Sequence, residues 1–178
     1  MEDEEIEEIK KYSDNKERMM EFVKKEGIAL EFASDELKND KELVMEAVKN
    51  DGGALEFASD SLKADKDILM SAVEVKGWVI CYASDDLKDD KDVVLKAASS
   101  DGQVLYYASQ RLRDDKDVVL AAVSNKAIIL KYASHRLRAD KDVAIAAIKQ
   151  SKKSLSYIDD SLKDDEDIQN IINPPEST

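Results

Sequence analysis

The side chains that most often carry out chemistry are scarce in this sequence, which contains one histidine, His135, and one cysteine, Cys81. Other copies of a repeating motif have aspartate or glutamine at the position of His135, which predicts an exposed helix or turn residue rather than a catalytic base. No histidine or aspartate is positioned to activate the thiol of Cys81, so we interpret it as a plain surface thiol. We therefore expect no catalytic residues, no cofactor and no enzymatic activity.

Clustered aspartates are the second group of candidate chemical residues, because carboxylates are common ligands of calcium. They occur in the runs Asp89-Asp90-Lys91-Asp92 and Asp114-Asp115-Lys116-Asp117. These runs lack the alternating acids, the central glycine and the closing glutamate of an EF-hand loop, and each contains a lysine. Helix capping and the helix dipole explain the acids without a metal ion, so we predict no metal site.

A motif of 25 residues organises the whole chain. One copy, LEFASDELKNDKELVMEAVKNDGG, begins at Leu30, and the next, LEFASDSLKADKDILMSAVEVKGW, begins at Leu55. An Ala-Ser dipeptide follows the same spacing from Ala33 to Ala133, and the register continues without an insertion to Asp167. Such periodicity is typical of a stacked repeat protein rather than of separate globular domains.

The second half of each copy predicts a helix with a defined start. Asp90 is a natural N-cap for the segment that follows, whose apolar residues recur with the period of an amphipathic helix. Asp101-Gly102 is expected to end this helix, with glycine as the C-terminal stop. Glycine recurs at the same junction as Gly27, Gly52 and Gly77. The equivalent residues Ala127 and Lys152 indicate that two junctions differ.

The first half of each copy is shorter. The segment QVLYYAS, which begins at Gln103, is interpreted as about two turns of helix. Its predicted buried residues are Val104, Leu105, Tyr107 and Ala108. Ser109 is expected to end this helix and to cap one further turn that leads to Leu112. An aromatic residue recurs at the position of Tyr107, as Phe32, Phe57, Tyr82, Tyr107, Tyr132 and Tyr157.

One such unit cannot bury its apolar face alone, whereas stacked neighbours can. We therefore predict an all-α fold, an α-solenoid of helix–turn–helix repeats in which a short helix precedes a longer one. Residues 1–26 are assigned to an acidic N-terminal cap with a degenerate first repeat helix, residues 27–172 to the repeat array, and residues 173–178 to a polar tail. Small residues are expected to mark close helix approach at Ala47, Ala72, Ala97, Ala122 and Ala147.

Composition narrows the function classes. The chain has a formal net charge of −13, is 43% hydrophobic and has no apolar run long enough to span a bilayer. The acidic N-terminal segment differs from a secretory signal peptide. The single cysteine cannot form an intrachain disulfide, which suits a reducing compartment, so we predict a cytoplasmic protein. Residues 103–153 carry 11 basic and 5 acidic side chains. This basic band is interpreted either as ordinary solvated surface or as a surface that steers an acidic protein segment.

Positions that vary between copies indicate where a partner binds. Three positions of the motif change freely between copies: a first position and the positions three and seven residues after it. The leucine, aromatic and aspartate positions barely change. Stacking of the repeats is expected to align these positions as a stripe along one side of the array. The candidate partner-binding residues on this stripe are Trp78, Cys81, Gln103, Tyr106, Ile128, Lys131 and His135.

The middle of the stripe is predicted to form an apolar island of Trp78, Cys81, Tyr106 and Ile128, because exposed aromatic residues in a polar rim commonly anchor a partner. We expect a protein or peptide partner, since the net negative charge opposes nucleic-acid binding outside the basic band. We also expect the chain to be monomeric. Two alternatives stay open. Either Trp78 belongs to the core and the other positions are unconstrained, or the array is a structural spacer without a partner.

The motif resembles that of a known family. The segment CYASDDLKDDKDVVLKAASSDG, from Cys81 to Gly102, is similar to the repeats grouped as domain of unknown function 4116. The resemblance covers about residues 15–170, and the sequence departs from the pattern at Tyr157-Ile158-Asp159, which replaces the aromatic-Ala-Ser triplet. It implies an array of short helices and brings no activity with it. Regularity this strict also fits a designed or consensus array.

Overall fold

The computed structural model describes residues 3–174, and every regular element within that range is helical. The chain forms two compact units that divide after Leu87. Two α-helices, α1 (Asp3–Lys11) and α2 (Lys16–Lys25), precede six repeats. We number these repeats 1 to 6 by their first helical residues, which are Gly27, Gly52, Gly77, Gly102, Ala127 and Lys152.

Each repeat consists of a 3-10 helix, a short helix and a long α-helix. The 3-10 helices span Gly27–Phe32, Gly52–Phe57, Gly77–Tyr82, Gly102–Tyr106, Ala127–Tyr132 and Lys152–Ser156. The short helices span Asp35–Lys38, Asp60–Lys63, Asp85–Lys88, Gln110–Arg113, His135–Arg138 and, as a further 3-10 helix, Asp160–Leu162. The long helices span Lys41–Asn50, Lys66–Val75, Lys91–Ser100, Lys116–Asn125, Lys141–Gln150 and Glu166–Ile172.

The long helices are capped as the sequence predicts. The Asp90 carboxylate accepts hydrogen bonds from the backbone N–H groups of Asp92 at 3.0 Å and Val93 at 3.2 Å. Equivalent aspartates cap the other long helices: Asp40, Asp65, Asp115, Asp140 and Asp165. The predicted cap at Ser109 is also confirmed, because its hydroxyl accepts a hydrogen bond from the N–H of Leu112 at 3.2 Å.

The first half of each repeat is a 3-10 helix, whereas the sequence interpretation did not specify this tighter form. In repeat 4 the Tyr107 N–H donates to the carbonyl of Val104, three residues earlier, at 2.9 Å. Side chains three residues apart align in such a helix, so Leu105 and Ala108 both face the core. The prediction that Tyr107 is buried is wrong, because this residue lies at the edge of the core and is half-exposed.

Neighbouring repeats bury their apolar faces against each other within each unit. Helix α2 and the long helices of repeats 1 and 2 pack in succession in the first unit, as do the long helices of repeats 3 to 6 in the second. The 3-10 helices of repeats 1, 2, 4 and 5 each pack against their own long helix and the preceding one. Both units therefore have the predicted all-α solenoid fold. Equivalent aliphatic residues of the 3-10 helices are fully buried at Leu30, Leu55, Ile80, Leu105 and Leu130.

The glycine at the start of a repeat permits close packing. None of the described glycines has a positive φ, so the prediction of a glycine helix stop is wrong in its mechanism, although the long helix does end just before Gly102. A Cβ atom on Gly102 would lie 2.6 Å from the backbone oxygen of Ala122, too close for any other residue without movement. Ala122 is itself fully buried, which confirms that this alanine position marks close helix approach.

Lysine side chains join neighbouring repeats through the aspartate-rich runs. Lys116 Nζ, at the start of the long helix of repeat 4, lies 2.9 Å from Asp140 Oδ2 and 2.7 Å from Asp142 Oδ2 in repeat 5. Asp140 is also the N-cap of its helix, so one carboxylate both caps a helix and pairs with the preceding repeat. Equivalent lysine–aspartate pairs occur at Lys16, Lys41, Lys91 and Lys141.

These ion pairs predict a fold that acid destabilises. The hydrogen bond from Lys41 lowers the pKa of Asp65, and the hydrogen bond from Lys141 lowers the pKa of Asp165, although partial burial opposes both shifts. A carboxyl whose pKa is lowered on folding adds stability above its unfolded pKa of about 3.9, and this stability disappears as pH falls through the folded value. We expect the urea midpoint of unfolding to fall between about pH 6 and about pH 3.

The triple variant Asp65→Asn, Asp115→Asn, Asp140→Asn is the matched control. Asparagine remains a good N-cap but has no titrating carboxyl group, so the midpoint of this variant should change less over the same pH range. The hydrogen bond from Lys41 to Asp65 raises the lysine pKa, so this lysine stays charged throughout the acid range. Circular dichroism in urea measures both proteins, and an equal pH dependence would contradict the role of the ion pairs.

Candidate partner-binding surface

The predicted partner-binding residues of the first unit lie on the 3-10 helix of repeat 3, Gly77–Tyr82. Trp78 is 40% exposed, and its ring meets that of Tyr82 edge-on with the centroids 5.9 Å apart. Cys81, three residues after Trp78, is half-buried. This unit therefore presents one large apolar ring to solvent on its 3-10 helix layer.

In the second unit, Gln103 and Tyr106 lie on the exposed side of the 3-10 helix of repeat 4, because side chains three residues apart align there. Tyr106 is 51% exposed. The equivalent residues in repeats 1 and 2 are Glu31 and Glu56, which are also exposed. The fold therefore does not require an aromatic ring at position 106.

Three tyrosines form a cluster between repeats 4 and 5. The Tyr106 ring lies edge-on to the rings of Tyr107 and Tyr132, with centroids 4.9 Å and 5.0 Å away. Together with Gln103 and Ile129, these rings line a cavity of about 230 Å³, which we call the tyrosine groove. Edge-to-face contacts are a favourable arrangement of aromatic rings, so the three tyrosines stabilise one another in the groove.

Lys131 lies at the rim of the tyrosine groove. Its Nζ atom is 4.8 Å from the centroid of the Tyr132 ring, a distance at which a cation is attracted to the face of the ring. The Lys131 side chain is exposed, and it forms no ion pair with any residue from 3 to 174. The groove thus combines aromatic walls with an uncompensated positive charge.

Ile128 lies in a different groove. The tyrosine groove is lined by its buried neighbour Ile129, whereas Ile128 itself is 41% exposed. Ile128 lines a cavity of about 260 Å³ between repeats 5 and 6, together with the exposed residues Lys126 and Lys153. We call this cavity the lysine groove. It repeats the combination of an apolar side chain with basic neighbours.

His135 pairs with an aspartate of an adjacent repeat. Its Nε2 atom lies 3.1 Å from Asp159 Oδ2. The next residue, Arg136, places its Nε atom 3.0 Å from Asp114 Oδ1, and Arg111 forms the same contact one repeat earlier. These basic side chains of the short helices therefore link neighbouring repeats within the second unit.

The seven candidate residues thus fall into separate groups. Trp78 and Cys81 belong to the first unit, and the other five belong to the second. Gln103 and Tyr106 line the tyrosine groove and Lys131 lies at its rim. Ile128 and His135 line two other cavities of the second unit. That all seven act as a single stripe stays a prediction.

Sequence reasoning missed three residues of the tyrosine groove, namely Tyr107, Tyr132 and Ile129. The sequence pattern indicated that the recurring aromatic position belongs to the core, whereas Tyr107 and Tyr132 at this position are half-exposed. One signal was available. The recurring aromatic is Phe32 and Phe57 in the first copies and tyrosine in the later ones, and a phenol hydroxyl favours contact with water or a hydrogen-bond partner.

Neither a metal-binding cluster nor a membrane-spanning helix occurs within residues 3–174. Within that range, no group of three or more histidine, cysteine, aspartate or glutamate side chains is arranged to hold a metal ion. None of the helices there is both long and apolar enough to cross a membrane. Aspartates of the two runs with calcium-like composition pair instead with basic side chains, as Asp115 does with Lys91 and Asp114 with Arg136.

Comparison with known families gives a match over most of the chain. A family model described as Domain of unknown function (DUF4116) matches five overlapping windows, residues 15–63, 40–88, 65–113, 90–138 and 115–163. Successive windows start 25 residues apart, which is the period of the helical repeat in the structure. No curated protein and no solved structure gives a significant match.

Proposed function

The chain belongs to the DUF4116 family of repeats, and from this premise we propose that it is a non-catalytic scaffold that binds a protein or peptide partner. The cluster that the exposed Tyr106 forms with the half-exposed Tyr107 and Tyr132 carries the proposal. Tyrosine and tryptophan are enriched among the residues that dominate binding energy at protein interfaces. An aromatic cluster open to solvent on a polar helical surface is therefore a natural anchor for a partner.

The repeats themselves provide an internal comparison that supports this role. Glu31 and Glu56 occupy the position of Tyr106 in repeats whose helices have the same form. Likewise Gly53 occupies the position of Trp78 in repeat 2. Folding of the array therefore explains neither aromatic residue, and exposing such rings to water has a cost that binding would remove.

The absence of catalysis is also part of the proposal, and the chemistry of the groove supports it. The side chains that line the tyrosine groove are an amide, an aliphatic chain and three phenols, without a carboxylate, imidazole or thiol among them. We further propose that the chain acts as a monomer in the cytoplasm, which suits a protein with one cysteine and a net charge of −13.

Affinity capture with variants of the chain tests the proposal. Tyr106→Ala and Trp78→Ala are each expected to lose a partner that the parent chain captures from a lysate of the source organism. A hot-spot residue contributes about 2 kcal/mol or more, which is about a 30-fold loss of affinity. The Tm of both variants should fall by no more than about 4 °C, since Tyr106 is 51% exposed and Trp78 is 40% exposed.

Glu56→Ala is the matched control, because Glu56 occupies the position of Tyr106 in repeat 2 and is also exposed. This variant should retain the captured partner. Identical sets of captured proteins for the parent chain and all three variants would contradict the proposal, and would favour a structural spacer. A large loss of stability in Trp78→Ala would show instead that this ring belongs to the core.

A further inference from the structure

The charge of the 3-10 and short helix layer reverses between repeats that have the same fold. In repeats 1 and 2, residues 27–40 and 52–65 carry seven acidic and two basic side chains. In repeats 4 and 5, the equivalent residues 102–115 and 127–140 carry three acidic and five basic side chains. Because the helices are the same in both pairs, the fold does not require this reversal.

Part of the positive charge in repeats 4 and 5 serves the scaffold. Arg136 pairs with Asp114 in the preceding repeat. Arg113 donates from Nε to the carbonyl of Ala108 at 2.9 Å and from Nη2 to the carbonyl of Tyr106 at 2.7 Å. These guanidinium groups hold the backbone and the neighbouring repeat in place. This structural role belongs to the arginines and does not explain why lysines lie at the two grooves.

The lysines at the two grooves have no such role. Lys131, Lys126 and Lys153 are exposed, and none of them forms an ion pair with another residue of the described range 3–174. Each lies next to an apolar surface, which is the Tyr132 ring for Lys131 and the Ile128 side chain for the other two. A carboxylate of a ligand bound there would gain a charged partner at the edge of an apolar contact.

The size of the grooves indicates what each one accepts. Volumes of about 230 Å³ and 260 Å³ lie below the range of about 300–1,000 Å³ typical of sites for drug-sized molecules. Each groove therefore suits one side chain of a larger ligand. Two such grooves on consecutive repeats suit a peptide that places separate side chains in each, which is how helical-repeat surfaces contact extended segments.

We propose that the second unit binds an acidic peptide segment of another protein. An aromatic or aliphatic side chain of the segment enters the tyrosine groove, and a flanking carboxylate pairs with Lys131. A second apolar side chain contacts Ile128 in the lysine groove, flanked by carboxylates that pair with Lys126 and Lys153. This inference rests on the proposed scaffold function and names the chemistry of its partner.

Selection from a random peptide library tests this chemistry directly. Phage-displayed peptides of about 12 residues are selected on the full chain, and the enriched sequences are synthesised with a fluorescent label. We expect an aromatic or aliphatic residue flanked by aspartate or glutamate. Fluorescence polarisation should show binding that weakens about tenfold or more in Tyr106→Ala and in Lys131→Glu. Binding by the parent chain should also weaken between about 50 and about 300 mM salt.

The control variant is Glu56→Lys, which makes the reverse charge change at the equivalent exposed position of repeat 2. It should bind the selected peptides as the parent chain does. Circular dichroism confirms that each variant is folded before binding is compared. Unchanged binding by Lys131→Glu would overturn the proposed charge pairing.

The possible failures distinguish this inference from the scaffold function itself. Neutral or basic peptides that lose binding in Tyr106→Ala would overturn the acidic chemistry while the scaffold function stands. Tighter binding of a labelled single-stranded RNA than of any selected peptide would overturn a peptide partner. Dimerisation in sedimentation that disappears in Tyr106→Ala would assign the groove to a second copy of the chain. No enriched peptide, together with unchanged affinity capture, would overturn both proposals.

Discussion

The variant Leu105→Ala is expected to lose about 2–5 kcal/mol of unfolding free energy, the range found for buried leucines. Leu105 is fully buried on the 3-10 helix of repeat 4, which packs against the long helices of repeats 3 and 4. Truncation removes contacts with this core and leaves a cavity, because the surrounding helices are held by their other neighbours. Urea denaturation followed by circular dichroism measures the loss.

The adjacent variant Tyr106→Ala is the control for this experiment. Tyr106 is 51% exposed on the other side of the same 3-10 helix, so its loss should cost about 1 kcal/mol or less. Because stacked repeats contact mainly their neighbours, the Leu105 variant should also show faster hydrogen exchange in repeat 4 than in repeat 6. Equal losses of stability in the two variants would contradict the packing described for this helix.

Alanine substitutions at two adjacent glycines are expected to have opposite effects on stability. Gly52→Ala should destabilise the chain by about 1–3 kcal/mol, the usual cost of overpacking. Gly53→Ala should instead stabilise it by about 0.4–1 kcal/mol, because alanine reduces the freedom of the unfolded chain. Thermal and urea unfolding of the two variants and the parent chain measure both differences.

The opposite signs follow from what each new methyl group would meet. A Cβ atom on Gly52 would lie closer than 3.0 Å to the backbone oxygen of Ala72, which cannot move without displacing the long helix of repeat 2. On Gly53 the nearest atom is the side-chain oxygen Asp51 Oδ1 at 3.0 Å, and Lys76 Nζ follows at 3.8 Å. Both of these are side-chain atoms, and Gln103 in repeat 4 carries a Cβ atom at the same position beside the equivalent Asp101 cap.

Repeat 5 shows that an alanine can occupy the position of Gly52 when its neighbours are suited to it, so the expected loss of stability in Gly52→Ala is moderate. Ala127 occupies the equivalent position there and is buried, so that repeat accommodates one methyl group with neighbours suited to it. Ala127→Gly is therefore expected to lower stability too, through a lost contact and a more flexible unfolded chain. A gain in stability from Gly52→Ala would contradict the close approach inferred for repeat 2.

Features that depend on neighbouring residues could be predicted from the sequence. Asp90 and Ser109 cap their helices as predicted because a capping side chain bonds to amides only two or three residues away. The burial of Val104, Leu105 and Ala108 also followed, since apolar residues must leave water and the repeat offered them one common side. The family resemblance rested on the same local pattern and was confirmed.

Some local features were nevertheless decided by packing. A six-residue apolar segment can form an α-helix or a 3-10 helix with little difference in local energy, and contacts with two long helices select between them. Tyr107, which the sequence predicted to be in the core, is half-exposed on this 3-10 helix layer. Glycine at a helix end is likewise consistent with a left-handed stop or with close packing, and only the position of Ala122 shows which applies to Gly102.

The sequence by itself determined the period, the helical class, the helix starts and most of the buried aliphatic residues, because these depend on short-range hydrogen bonds and on burial. Tertiary structure alone decided which residues 25 or more positions apart meet, as Lys116 meets Asp142 and Tyr106 meets Tyr132. Such contacts depend on how one repeat is placed against the next, since side chains must lie within a few ångströms to pair or to form a groove. The tyrosine groove therefore exists only because repeats 4 and 5 pack together.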